Sequence, residues 1–135
     1  MIFGPINKPF EPAETEYDWL TRDHEEVMKY VNDPYCGFSS TTSLYYELLQ
    51  GLTKIWKEEN ERKIPFDLPI YFISGSEDAS NEMTSNLFKL IERYKSYGIT
   101  NYTVKIYEGA RHEIFNEINR EEVFQDVINW LDSHI

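Results

Sequence analysis

The stretch Leu68-Pro-Ile-Tyr-Phe-Ile-Ser-Gly-Ser-Glu-Asp78 limits what this chain can fold into more than any other, because its apolar and aromatic run stops at once on Ser-Gly-Ser-Glu-Asp. Ile70 and Phe72 fall on one face of such a run, Tyr71 and Ile73 on the other. Apolar residues on both faces suit a strand covered on both sides, as in a parallel sheet between helices. The strand, placed at 69–74, then delivers an acid, Asp78, to a loop. The plain alternative is a turn aspartate after a core strand, since Asp in a Gly-containing turn is ordinary turn chemistry.

The following residues add to the first possibility. Met83, Leu87, Leu90, Ile91 and Tyr94 recur at the spacing of one helical face, and Tyr97-Gly98-Ile99 ends the pattern, giving a helix over 82–97. Tyr102-Thr-Val-Lys-Ile-Tyr107 alternates β-branched residues with polar ones and reads as a second strand, 102–107, which stops at Glu108-Gly-Ala-Arg-His112. In a right-handed strand–helix–strand unit the strands run the same way, so both loops leave one edge of the sheet. Asp78 and His112 are thereby brought within reach of each other.

Elsewhere the chain predicts scaffolding. Residues 1–20 hold Pro5, Pro9 and Pro12 with Phe3, Phe10, Tyr17 and Trp19, which bars a long helix and suits an irregular arm packed on apolar surface. Asp23 with Glu26 has the form of a capping box before a short helix with Val27, Tyr30 and Val31 on its apolar face, closed by Asp33-Pro34. Leu44, Leu48, Leu49, Leu52, Ile55 and Trp56 predict a helix over 44–60. Asn119 with Glu122 repeats the cap pattern before a helix over 120–133 whose buried face is Val123, Phe124, Val127, Ile128 and Leu131. His24 and His134 fall at solvated positions.

At 135 residues one domain is the upper bound, and a formal charge of −11 argues against a nucleic-acid partner. Cys36 is the single cysteine, which excludes an internal disulfide and fits a reducing compartment; nothing near it in sequence supplies the base a nucleophilic thiol needs. There is no apolar run of membrane-spanning length and no signal-peptide pattern, so a cytoplasmic protein without stable membrane insertion is expected. No glycine-rich phosphate loop and no metal-spaced Cys/His cluster occurs, so neither cofactor nor metal is expected.

Three stretches together resemble the serine aminopeptidase, monoacylglycerol lipase and lysophospholipase group of α/β-hydrolases. The first is Asn7-Lys-Pro-Phe with Asp18-Trp-Leu-Thr-Arg22 and Tyr30-Val-Asn-Asp-Pro-Tyr-Cys-Gly-Phe38, similar to the cap of bacterial members. The second is Leu68-Pro to Gly75-Ser-Glu-Asp78, similar to the strand bearing the triad acid, and the third is Gly109-Ala-Arg-His-Glu113, similar to the loop bearing the triad histidine. The resemblance covers essentially the whole chain. It implies the C-terminal part of an α/β-hydrolase fold: residues 1–42 as the remainder of the cap region and 43–135 as the C-terminal half of the core. By the same resemblance Asp78 orients the imidazole and His112 is the general base, acting on small carboxylic esters or lipids. Ala79 and Glu108 stand where the family often has Pro; neither touches the chemistry.

One part of the family pattern is missing from these residues. No Gly-x-Ser-x-Gly occurs: Gly37-Phe-Ser-Ser-Thr lacks the second Gly, and Ser74-Gly-Ser-Glu-Asp is the acid loop. The expectation is therefore a hydrolase fragment that turns over no ester alone, since nucleophile and oxyanion donors carry most of acyl transfer. It is also expected to self-associate through an open strand edge or by exchange of residues 1–20. The alternative is a non-catalytic α/β interaction domain that retains the hydrolase scaffold.

Overall fold

The computed structural model describes residues 6–134. Its centre is a parallel pair, β1 (Ile70–Gly75) and β2 (Tyr102–Tyr107), in register from Ile70 opposite Tyr102 to Gly75 opposite Tyr107. The described residues also form five α-helices: α1 (His24–Asn32), α2 (Thr42–Ile55), α3 (Glu58–Glu61), α4 (Ser85–Ser96) and α5 (Arg120–Asp132). The alternation in β1 is used on both faces. Tyr71 stacks on Trp130 of α5 at 5.3 Å between ring centroids, and Ile73 packs against the buried cluster of Tyr107, Ala110, Ile114 and Val123. Phe72 faces the other way, 6.2 Å from Tyr94 of α4. Asp23 caps α1, accepting from the amides of Glu25 and Glu26, and Val27 is buried beneath.

Several boundaries differ from the sequence reading. The helix expected over 44–60 breaks after Ile55: Asn60 Nδ2 donates to the Lys54 carbonyl at 2.7 Å, Lys57 is extended, and α3 starts afresh. The helix expected from residue 82 begins at Ser85, because Glu82, Met83 and Thr84 all take the left-handed conformation (φ 55°, 52° and 70°). A short 3-10 turn, Ala79–Asn81, precedes them, so Met83 belongs to the loop and is exposed. Asn119 does not cap α5; its side chain donates to Glu122 and accepts from Arg22 instead. On α5 only Val123 of the predicted face is fully buried, while Phe124, Ile128 and Leu131 are exposed. The apolar residues Leu44, Leu48, Leu49 and Ile55 of α2 are exposed as well.

Of the arm at residues 1–20, Phe3 and Pro5 lie outside the described residues. Its later part is packed as expected: Leu20 is buried, Phe10 lies 4.2 Å beneath the Arg111 guanidinium, and Arg111 Nη1 donates to the Asp18 carbonyl. Two further backbone bonds join this arm to the loop after β2, from His112 N to the Trp19 carbonyl at 3.4 Å and from Glu113 N to the Leu20 carbonyl at 2.7 Å.

Candidate active site

Both predicted site residues emerge from the same end of the sheet. The loops after β1 and β2 bond directly to each other, Ser76 N donating to the Tyr107 carbonyl (3.0 Å), Gly109 N to Ser76 Oγ (2.8 Å) and Glu77 N to the Ala110 carbonyl (2.9 Å). Gly75 makes this approach possible: a Cβ there would lie 2.1 Å from the Ala110 carbonyl oxygen and 2.3 Å from that of Arg111. His112 Nδ1 is consequently 3.1 Å from Asp78 Oδ2 and 3.2 Å from Oδ1.

Asp78 is buried and held from several sides. Ser80 N and Ser80 Oγ donate to Oδ1 at 2.9 and 2.7 Å, and Asn81 Nδ2 donates to Oδ2 at 3.1 Å. Asn81 in turn reaches Ser74 Oγ and accepts from Thr84 N, which ties the acid to the left-handed loop before α4. Burial alone would raise the Asp78 pKa, but the hydrogen bonds from His112 and Ser80 outweigh it and hold the carboxyl below its ordinary value. The His112 pKa is raised, chiefly by the hydrogen bond to Asp78, against a desolvation that works to lower it.

In its neutral form the imidazole carries its proton on Nδ1, facing the carboxylate, and leaves Nε2 as the acceptor. Nε2 has no hydrogen-bond partner among the described residues, and the side chain is 41% exposed. The Trp19 ring lies 5.0 Å from the imidazole and also lines a cleft of about 800 Å³ with Tyr17, Tyr30, Tyr35 and Phe38. Such a pair can take a proton at Nε2 and stabilise the imidazolium that forms. Ser80 Oγ is the nearby hydroxyl, 3.0 Å from His112, but it sits on Nδ1, the side already occupied by the acid. A nucleophile activated by this histidine has to approach Nε2.

The pKa directions fix a pH profile for folding. The raised His112 value stabilises the fold fully below the unfolded histidine value of about 6.5, and that contribution is lost as pH rises through the folded value. The lowered Asp78 value contributes above its ordinary value of 3.8 and is lost as pH falls through the folded one. Urea midpoints are expected to show the pair's contribution at its fullest between about pH 4 and pH 6.5, declining above and below, with Asp78→Asn removing the variation.

Other titratable candidates are separate. Partial burial pushes the Cys36 thiol up, with Asp33 and Glu113 adding to it, the wrong direction for a thiolate nucleophile. His24 Nδ1 pairs with the exposed Glu14 at 3.2 Å, and His134 Nδ1 lies 2.7 Å from the Trp130 carbonyl, both at the surface. Sequence reasoning placed Trp19 in the packing arm rather than at the site, and did not single out Ser80, Asn81 or Glu117. Ser80 and Asn81 carry a local signal, since polar side chains two and three residues after an aspartate close turns on it. Trp19 and Glu117 carry no local signal for the site, because Trp19 meets the His112 loop, and Glu117 meets Arg22, across more than 90 residues.

Comparison with known proteins gives the family and the fold. Residues 3–119 match the family described as serine aminopeptidase, S33. The chain is 27% identical to a monoacylglycerol lipase of Mycolicibacterium smegmatis over 134 residues, 99% of this chain and 45% of that protein. Among solved structures it superposes on a thermostable carboxyl esterase from Bacillus coagulans, in complex with glycerol, with a TM-score of 0.81 and 28% identity, covering 96% of this chain and 43% of that one. A soluble variant of monoglyceride lipase from Saccharomyces cerevisiae, in complex with a substrate analogue, gives a TM-score of 0.67 and 25% identity over 98% and 46% of the two chains. The chain thus spans less than half the length of these relatives. Its fold is part of an α/β-hydrolase fold, and the chain belongs to the serine aminopeptidase, S33, family.

Proposed function

We propose that this member of the serine aminopeptidase, S33, family supplies the acid and the general base of a Ser-His-Asp triad, Asp78 and His112, to an ester hydrolase whose nucleophile lies outside these 135 residues. The contact of 3.1 Å between His112 Nδ1 and a buried Asp78, with Nε2 left open, carries this reading. It is the arrangement in which the acid fixes the tautomer and the imidazole takes the serine proton, then returns it to the leaving alcohol. The absence of Gly-x-Ser-x-Gly and the place of Ser80 on the acid's side of the ring support a chain that turns over no ester by itself. The relatives named as monoacylglycerol lipase and carboxyl esterase support a carboxylic ester of a lipid or small alcohol as substrate, a monoacylglycerol or lysophospholipid being the form to try first. A single cysteine is the support for a reducing compartment such as the cytoplasm.

The test is complementation. The chain is co-refolded with the part of the Mycolicibacterium smegmatis relative that it does not cover, and monoacylglycerol hydrolysis is followed. Turnover that needs both parts is expected. A well-folded assembly that is inert, and whose serine takes no fluorophosphonate, favours the non-catalytic interaction domain.

Self-association belongs to the same proposal. β1 has β2 as its one strand neighbour among the described residues, so its other edge carries unpaired backbone groups, a template for a second strand. Sedimentation velocity over rising concentration is expected to show dimers that form through this edge or by exchange of the arm. A monomer at high concentration that binds no apolar dye contradicts it. No helix among the described residues is long and apolar enough to cross a membrane.

A further inference from the structure

Glu117 is a fully buried carboxylate that the proton transfer does not use. Its Oε1 accepts from Arg111 N at 2.8 Å and from Arg22 N at 3.1 Å; its Oε2 accepts from Arg22 Nε at 2.8 Å and from Ile118 N at 3.3 Å. One oxygen therefore holds both the amide next to His112 and the end of the segment that places Trp19 against the imidazole. The surrounding bonds share this arrangement. Arg111 Nη1 reaches the Asp18 and Thr21 carbonyls, and Thr21 Oγ1 donates to the Asn116 carbonyl at 2.8 Å.

We infer that Glu117 is the positioning residue for His112: by pinning Arg111 and Arg22 on one buried carboxylate, it sets the imidazole against Asp78 and couples that placement to the arm at residues 18–22. The chemistry of the side chain is specific. Four N–H donors converge on two acceptor oxygens, and an amide in the same place would offer one oxygen and turn its own N–H₂ toward donors. A buried donor left without an acceptor bears its full desolvation cost, which favours arrangements that let it reach water or another acceptor. In Glu117→Gln the amide of Arg111 or the guanidinium of Arg22 is left unpaired, and the loop relaxes at the residue beside His112. The charged groups that act on the ring are Asp78, at hydrogen-bond distance, and Glu113, so a ring that moves from Asp78 loses the larger influence.

The inference rests on the reading of His112 as the general base, and the experiment separates the two. With three histidines in the chain, each imidazole titration can be followed by nuclear magnetic resonance in the intact 135-residue protein. Three variants are compared with the parent: Asp78→Asn, Glu117→Gln and Arg120→Ala. The Arg120 side chain bridges the same two regions, from the start of α5 to Asp23 and Glu26 of the α1 turn, and its bond to the His112 loop is through the backbone, Arg120 N to the Glu117 carbonyl, which alanine keeps.

The expected result is a His112 midpoint displaced downward in D78N, displaced in the same direction by a smaller amount in E117Q, and unchanged in R120A. If D78N leaves the midpoint in place, the acid–base pair itself fails. If D78N moves it and E117Q does not, the pair stands and the positioning role is overturned. An equal shift in E117Q and R120A also overturns it, since loss of any contact between the two regions would then suffice. Should E117Q not fold, Arg22→Gln replaces it as the test of the coupling to the arm, because it takes the guanidinium off Glu117 Oε2 while the Arg111 and Arg22 amides stay on Oε1; a His112 midpoint left in place then overturns that coupling.

Discussion

Asp78→Asn is expected to lower ester hydrolysis by about 10⁴-fold in the complemented enzyme while leaving the fold in place, the effect that a wrong histidine tautomer produces in a serine triad. Asparagine keeps the size of Asp78 and can still accept from Ser80 through one oxygen. It cannot present acceptors on both sides to His112 Nδ1, which now lies within 3.2 Å of both carboxylate oxygens. The imidazole then gains nothing by holding its proton on Nδ1, and Nε2 is no longer free to act as base. Single-turnover kinetics on the variant and parent assemblies measure this directly, with circular dichroism as the check on folding. A loss below about tenfold would mean that Asp78 only shapes the turn, the plain alternative its sequence context allows.

The second large effect is structural. Gly75→Ala is expected to destabilise the fold by about 3 kcal/mol, near the upper end of ordinary overpacking, because the added Cβ meets two backbone carbonyls rather than a side-chain tip. Backbone cannot swing aside, so the end of β1 and the loop at 110–111 must separate. The bonds from Glu77 N to the Ala110 carbonyl and from Gly109 N to Ser76 Oγ are the first to suffer, and the distance from Asp78 to His112 opens with them. Urea unfolding gives the energy, and the His112 titration gives the geometry: a midpoint shifted down together with the loss of stability is the expected pair of observations. Unchanged stability would show that the two loops are not in van der Waals contact at Gly75.

The strands and the pair they deliver were legible because each rests on a local signal. Alternation in Ile70–Ile73 predicts two covered faces, and both are partly covered, Tyr71 by Trp130 and Phe72 by Tyr94, with residues 70–73 half-buried. A parallel strand–helix–strand unit then places Asp78 and His112 at one edge without any knowledge of contacts. The helix starts were less legible. Nothing in Glu82-Met-Thr84 favours a left-handed backbone, and those residues adopt it while Asn81 is anchored to Asp78 and to Thr84 N. Asn119 has the pattern of a cap, but its side-chain oxygen is taken by Arg22, 97 residues away. Glu117 is the extreme case: it reads as one more acid in a chain with 24 of them, and only the tertiary fold gives it Arg22 and the Arg111 amide. The exposed faces of α2 and α5 show the reverse, a local pattern that the described residues do not cover.

Fluorophosphonate labelling read by intact mass tests the central claim most directly, since the reagent reports a serine activated at His112 Nε2. The 135-residue chain, shown to be folded by circular dichroism, is expected to take no adduct; the same chain completed by the remainder of its relative is expected to take one, on the Gly-x-Ser-x-Gly serine, and to lose it in His112→Ala. A stoichiometric adduct on any serine of the 135-residue chain alone would contradict the account, because that chain would then hold its own nucleophile beside His112.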